Sequence, residues 1–394
     1  MPWKLPLIVL AVAASEAALA YDLDDWPVHH AFADGTDLAL LGVYRYDLNE
    51  FSNDALPNGK PAFADSHTNR RKELGLTLKK KGVYDAIIDY EYQNRTWLDT
   101  YVRVQLKALF GVDYGAFRLG YSKTPVGFES VTTTKADSFL EPALSNIAIF
   151  EGRRTGLDWA FERDRFIINA GYYWGQDLLG DNDGTTLAGR AAWTPWKASG
   201  DVLHLGVSGS HEHREDTVDG RGIKHSATAR IGTPPGAGLT PVRLIDTGSL
   251  GNVDGIDRAG LEALWIRGPW SIQGEMLGEK IARSDGKPDF SARGFYVFGS
   301  WVLTGESRPY AGGNVNNIKP GGPWGAWELL LRYNELDLDD GAIQGGKEHD
   351  WTLGANWYLT EHFKFQANYI RATSDRGNLA LDPKIFELRA QIYF

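Results

Sequence analysis

The chain ends on IFELRAQIYF, residues 385–394, and no other stretch restricts its fold as much. Phe386, Leu388, Ala390, Ile392 and Phe394 fall on one face of an extended strand, and Glu387, Arg389, Gln391 and Tyr393 on the other. One face is apolar, the other is wet, and the chain stops on an aromatic ring. Such a strand suits the closing position of a bacterial outer-membrane β-barrel, where lipid-facing and lumen-facing residues alternate. A half-buried strand closing a soluble sandwich has the same alternation, so the decision passes to the opposite end of the chain.

Residues 1–20 carry Lys4, an apolar run at 5–14 and then Ala18-Leu19-Ala20, the pattern of a secretory signal cleaved before Tyr21. That run is too short to span a bilayer, and no later stretch approaches the roughly 20 apolar residues a transmembrane helix needs. An exported chain is expected. It has no cysteine, so neither disulfides nor thiol chemistry enter the fold. With 14 Trp, 17 Tyr and 17 Phe it is rich in the aromatics of membrane interfaces, yet its mean hydropathy of -0.33 is that of a soluble protein. Barrels combine the two because only alternate residues meet lipid. The mature chain of about 370 residues has no Pro- or Ser-rich linker to divide it. The expected layout is a signal peptide at 1–20, a periplasmic N-terminal segment at 21–37 and one barrel at 38–394. A net charge of -10 argues against nucleic acid as a partner.

Period-two runs predict strands near 38–49, 71–80, 84–93, 100–109, 116–122, 153–161, 165–174, 187–194, 202–212, 258–267, 270–279, 293–303, 324–337, 348–359, 364–373 and 385–394. A further candidate at 224–231 makes the count odd. With both chain ends in the periplasm, short turns must follow even-numbered strands. The tight connections at 81–82, 162–164, 268–269 and 360–362 obey this only if 213–257 is one long external loop. The fold class is therefore all-β, a 16-stranded antiparallel transmembrane β-barrel, wide enough for an aqueous channel. Two other connections are long. Residues 123–152 form the third external loop, and 304–323 fall on the periplasmic side; on length alone each is either a solvated loop or one folded into the pore.

Alternation also sorts the charges. In 101–109, Val102, Val104, Leu106 and Ala108 face lipid, which turns Arg103, Gln105 and Lys107 to the lumen. The same test turns Arg45, Arg71, Arg118, Arg190, Arg332 and Arg389 inward, as the cost of a guanidinium in lipid also requires. Arginines in a water-filled barrel offer forked donors to phosphate or carboxylate. Equally, they can pair with inward acids such as Asp47, Glu73, Asp85, Asp89, Glu91 and Glu328 and stabilise the wall. No catalytic constellation converges: the nine histidines are scattered, and neither G-x-S-x-G nor H-E-x-x-H occurs. His211-Glu212-His213 at the outer rim and His29-His30 near the start are weak metal candidates. No enzyme activity and no cofactor are expected.

Several segments, in order, resemble the phosphate- and polyphosphate-selective outer-membrane porins of the porin O and P type. They are Arg70-Arg71 with its strand, FRLGYSKTPVGFE at 117–129, RGPWSIQGE at 267–275, SWVLTGESRPY at 300–310, IKPGGPWGAWELLLRYNELDL at 318–338, TLGANWYL at 352–359 and the aromatic end. The resemblance implies a homotrimer of 16-stranded barrels in the outer membrane of a Gram-negative bacterium, surrounded by its lipid. It further implies arginine ladders and a small lysine cluster that guide phosphate through a loop-lined constriction. By position it makes Arg70 and Arg71 an arginine pair on the pore wall, Asp99 an acidic residue near the constriction, Lys135 a lysine of the third external loop and Lys319 the lysine of the Ile-Lys-Pro segment. In the family a constriction lysine follows the Gly-Phe/Leu-x-Glu stretch, where this chain has Ser130. The loop 213–257 offers only Arg214, Arg221, Lys224, Arg230 and Arg243 in loose order. These departures weigh against strict phosphate selectivity and leave the channel intact.

The expected function is facilitated diffusion of small inorganic anions, phosphate or polyphosphate foremost. A general or differently selective porin is the alternative, and an outer-membrane enzyme or surface-binding barrel is the reading from another class.

Overall fold

The computed structural model describes residues 28–394 apart from 57, 176–177, 179–183, 234–242 and 378. The expected signal peptide, and the segment after it up to residue 27, lie outside the described residues. One antiparallel sheet of 18 strands contains the fold. Two of these, His29–Ala31 and Leu379–Leu381, are short strands that pair with the ends of barrel strands. The other 16 form the barrel. They are β1 (Thr36–Ser52), β2 (Ser66–Lys80), β3 (Tyr84–Glu91), β4 (Thr96–Gln105), β5 (Ala116–Lys123), β6 (Arg153–Arg163), β7 (Phe166–Gly175) and β8 (Gly184–Ala198). The second half is β9 (Asp201–Arg214), β10 (Val253–Arg267), β11 (Trp270–Arg283), β12 (Phe290–Val302), β13 (Ala326–Asp340), β14 (Ile343–Tyr358), β15 (Phe363–Arg376) and β16 (Lys384–Tyr393). Each overlaps one expected strand. The candidate at 224–231 is no barrel strand: Lys224–His225 and Thr228–Ala229 make two-residue pairings within the long external loop.

Closure is made by β16, which pairs with β15 on one side and β1 on the other. Phe394 and Gly42 exchange backbone hydrogen bonds of 3.1 and 3.2 Å, and the Phe394 ring lies over Gly42. A Cβ at Gly42 would stand 2.5 Å from the Phe394 Cζ atom. Alternation is strict where both faces are committed: β12 buries every second residue from Phe290 to Val302 and exposes Phe295, Val297 and Trp301. Stacked tryptophans mark the periplasmic ends of four strands, with Trp270 on Trp301 at 4.7 Å and Trp327 on Trp357 at 5.1 Å between ring centres. Amphipathic rings at that level suit the membrane interface.

One expected strand ends early. β4 stops at Gln105, and Leu106–Phe110 form a helical turn closed by Gly111 at φ 75°, whose N–H donates to the Lys107 carbonyl. Leu106 is therefore buried rather than lipid-facing, and Lys107 is an exposed residue of the periplasmic connection rather than a pore-wall cation. The run Leu-Lys-Ala-Leu alternates like a strand but also consists of strong helix formers, and period alone does not separate the two over one turn.

Both long connections fold into the lumen. The third external loop, 124–152, contains the short helices Phe128–Val131 and Leu144–Ile149 and buries Phe139 and Ala143 against Tyr296, Phe298 and Leu330 of the inner wall. From the periplasmic side, 303–325 sends in the hairpin Tyr310–Ala311 and Asn314–Val315. There the Tyr310 hydroxyl meets His204 at 2.7 Å, and Asn317 donates to the Lys135 carbonyl of the third loop at 2.9 Å. In the described part of the long external loop, Leu244 packs on Phe63, Ile370, Leu381 and Ile385.

Gly42→Val should force the Phe394 ring off the seam and lower the yield of heat-modifiable folded barrel, and deletion of Phe394 should lower it further. Semi-native electrophoresis of outer-membrane fractions checks both; wild-type yields from the two variants would contradict this account of closure.

Candidate functional site

The lumen is where this sequence keeps its charge, and most of the inward arginines hold something in place. Arg389 is wholly buried between strand and loop: its Nε and one terminal nitrogen bind both Asp47 oxygens at 2.8 and 2.7 Å, while the other terminal nitrogen reaches the Leu140 carbonyl at 2.6 Å. Asp47 and Arg389 are cross-strand partners, which sets this fork. Arg45 binds Gln391 at 2.6 Å and reaches the Thr134 carbonyl and Asp137 of the third loop. Arg332 lies 4.2 Å over the Phe139 ring and donates to the Glu141 carbonyl at 3.1 Å. Arg190 joins Glu262 at 2.8 Å and the Gly313 carbonyl of the inserted hairpin at 2.8 Å. These four side chains strap the two inserted segments to the wall. Glu275 does the same with the opposite sign, accepting from the Phe128 N–H at 2.8 Å and from Asn146 at 3.0 Å.

Arg70 and Arg71 both turn inward, which strict alternation forbids. The register passes from Arg45 opposite Arg71 to Tyr46 opposite Asn69, so Arg70 is the extra residue of a β-bulge. Its guanidinium binds Glu141 at 3.2 and 3.4 Å, and Arg71 pairs with Glu73.

What stays open is a cavity of about 390 Å³ between the third loop, the inserted hairpin and the wall of β4 to β8; Arg103, Arg118, Lys123, Arg190, Asp99 and Asp158 contribute to its lining. Across it runs a row of cross-strand neighbours, Asp85, Arg103, Arg118 and Asp158. The inner two cations bind the outer two acids, Arg103 to Asp85 at 2.8 Å and Arg118 to Asp158 at 2.7 Å. Above this row Arg153 holds Asp99 at 2.8 Å. Farther out is a vestibule of about 340 Å³ where Arg154, Arg214 and Arg258 share Glu212. Beyond the membrane, hydrogen bonding to Arg230 holds the Asp246 carboxyl below its ordinary range.

Lys135 and Lys319 meet on the periplasmic side, lining one cavity of about 240 Å³ with Glu361 and Phe394. Lys319 is exposed and paired with Glu361 at 2.5 Å. Ser130 supplies no cation; its hydroxyl donates to Asn146, but its carbonyl accepts the Lys123 ammonium at 2.7 Å. Reading by alternation overlooked Lys123, Arg153, Arg154, Arg258 and Arg308. Counted from Arg118, Lys123 and its cross-strand partner Arg153 fall on the lipid face, yet they stand where the chain turns inward to begin and end the third loop, and their side chains go with it. Arg308 sits in the inserted segment, bound to Ser138, Ser271 and Gln273 at 3.1 to 3.2 Å. His211 and His213 are exposed, and His211 binds Asp257 at 2.7 Å. Glu212 between them points the other way, to the arginines.

A closed barrel of 16 strands, with a charged lumen narrowed by an inward third loop, is a porin-type barrel of the outer membrane. The family profile described as phosphate-selective porin O and P matches residues 39–394, and the chain belongs to that family. Porin O of Pseudomonas aeruginosa is 30% identical over 226 residues, covering 50% of this chain and 50% of that protein. A protein of Caulobacter vibrioides is 28% identical over 258 residues, 61% of this chain and 50% of the other. The chain thus spans about half the length of the curated relatives it matches. Among solved structures, the anion-selective porin from Comamonas acidovorans has a TM-score of 0.56 at 14% identity, covering 91% of this chain and 100% of the other. The trimer form of Vibrio cholerae OmpT, an outer membrane protein, has 0.58 at 10% identity, covering 92% and 100%. Such identities show a common fold. Family and fold assign the chain to the outer membrane of Gram-negative bacteria.

Arg389→Met should destabilise the barrel by about 3–5 kcal/mol, because it leaves the Asp47 carboxylate buried without its cation. Urea titration in detergent, followed by heat-modifiable migration, measures this. A loss under 1 kcal/mol would mean that the strap does not hold the loop.

Proposed function

We propose that this protein is a channel for small inorganic anions, phosphate foremost, working by facilitated diffusion without a chemical step. The observation that carries the reading is the cavity beside the third loop, bordered by Arg103, Arg118 and Lys123, in a chain of the porin O and P family. Cations at a narrow aqueous passage raise the local anion concentration and exchange part of the hydration shell for hydrogen bonds. The binding is weak because most of these cations already share their charge with a carboxylate, so an ion that enters also leaves. Lys135 and Lys319 extend the positive border to the periplasmic opening. Polyphosphate, a homotrimeric assembly, and export by cleavage of residues 1–20 belong to the same proposal; the trimer form of the Vibrio barrel supports the second.

A second reading, a porin of broader selectivity, is favoured by the pairing itself: Arg71, Arg103, Arg118 and Arg190 each have a carboxylate within reach. Reversal potentials of the purified protein in a potassium chloride gradient separate the two. The proposal expects a potential of the anion-selective sign, a chloride current that graded phosphate blocks, and weaker block in Lys135→Gln. Both effects should be strongest at low salt, since channel charges are screened over about 8–10 Å near physiological ionic strength. A cation-selective or unselective wild type would overturn it.

A further inference from the structure

Four cations line the cavity beside the third loop, and three of them are matched. Arg103 has Asp85, Arg118 has Asp158 and Arg190 has Glu262, all at 2.7 to 2.8 Å. Lys123 differs. Among the described residues no carboxylate lies within 4.0 Å of its ammonium, which is held by two backbone carbonyls, Ser130 and Thr132, each at 2.7 Å. An ammonium has three N–H donors. Two are engaged by the loop, and the residue is part of the cavity lining. Two guanidiniums flank it: a terminal nitrogen of Arg118 donates to the Lys123 carbonyl at 3.5 Å, and Arg153 is the cross-strand partner of Lys123; Asp158 and Asp99 of the same lining are held by these two arginines, and Asp113 and Glu162 also border the cavity. Arg118 and Arg153 bind their carboxylates through Nε, so their forks are only partly occupied.

An ammonium with neutral hydrogen-bond partners, in the lining of a cavity and next to part-used guanidinium forks, is chemistry for an anion. We propose that Lys123, backed by Arg118, is a binding site for a small tetrahedral oxyanion such as inorganic phosphate, on the face of the third loop that borders the cavity. The proposal rests on the anion-channel reading and names the residue that confers its preference. Its geometry has a reason. Because Lys123 stands where β5 hands over to the loop, the same side chain that fastens the loop's first helix also presents the charge, and an acid is not needed to hold it there. A chloride ion presents a single acceptor atom to these donors, whereas an oxyanion has several separated oxygens that can engage the ammonium and the neighbouring fork at once. Phosphate should therefore outlast chloride here and block its current.

A structural alternative exists, since lysines also cap the last carbonyls of helices, and the experiment separates the two. Wild type, Lys123→Gln and Lys123→Met are compared as purified trimers or monomers, whichever the membrane yields, in planar bilayers with chloride and graded inorganic phosphate. Exclusion of neutral sugars of increasing size is read in parallel as a measure of the loop's position. Lys123→Gln retains donors for the carbonyls and carries the test if Lys123→Met does not assemble. The expected result is about tenfold weaker phosphate block or more, as for loss of one charge-assisted hydrogen bond, with sugar exclusion unchanged. Unchanged block in either variant overturns the proposal, and so does weaker block accompanied by a shift in sugar exclusion, which would assign Lys123 to holding the loop alone. Absence of anion preference in the wild type would instead sink the channel reading on which it rests.

Discussion

A polypeptide inside a bilayer has no water to satisfy its backbone, so each N–H and C=O must find a partner in the chain itself. Here that demand is met by closing β1 on β16, with Gly42 and Phe394 exchanging the last backbone hydrogen bonds of the seam. Closure makes one face of each strand meet lipid, and the cost of charge in lipid then sends the arginines and acids to the lumen. The inward charge is as much a consequence of the membrane as of any solute.

Crowding so many charges into one cylinder creates a second problem, which the structure solves by pairing. Cross-strand partners such as Asp47 with Arg389 and Arg118 with Asp158 neutralise one another where the register brings them opposite. Burying a pair adds little net stability once desolvation is counted, but it fixes position. Arg389, Arg45 and Arg332 turn that fixity to use by holding carbonyls and acids of the third loop, and Arg190 holds the periplasmic hairpin in the same way. The lumen is therefore divided into a strapped, largely filled region and an open cavity along β4 to β8. A cation's role follows from which side of that division it occupies.

The strands and their facing were legible because period two is written into each one, and turn parity identified the long external loop without any tertiary information. Reading stopped where the backbone left the regular pleat. The run after Gln105 keeps its alternation while coiling into a helical turn, so Leu106 and Lys107 exchange the surroundings that periodicity assigns them. At Arg70 a bulge brings two consecutive arginines inside. At Lys123 and Arg153 the chain bends into the pore, so parity counted from Arg118 points to lipid although the side chains turn inward.

By itself the sequence determined a barrel, its strand number, the sides on which its loops lie and the sorting of charge from lipid. All of these follow from local alternation and from the cost of polar groups in hydrocarbon. Tertiary structure alone decided which inward charges are straps and which border an open cavity, because that depends on two loops folding back across the lumen to meet strands hundreds of residues away. Arg389 and Arg118 have the same residue type on the same kind of strand face; only the position of Leu140 beside one and of an open cavity beside the other makes the first a fastening and the second part of a cavity wall.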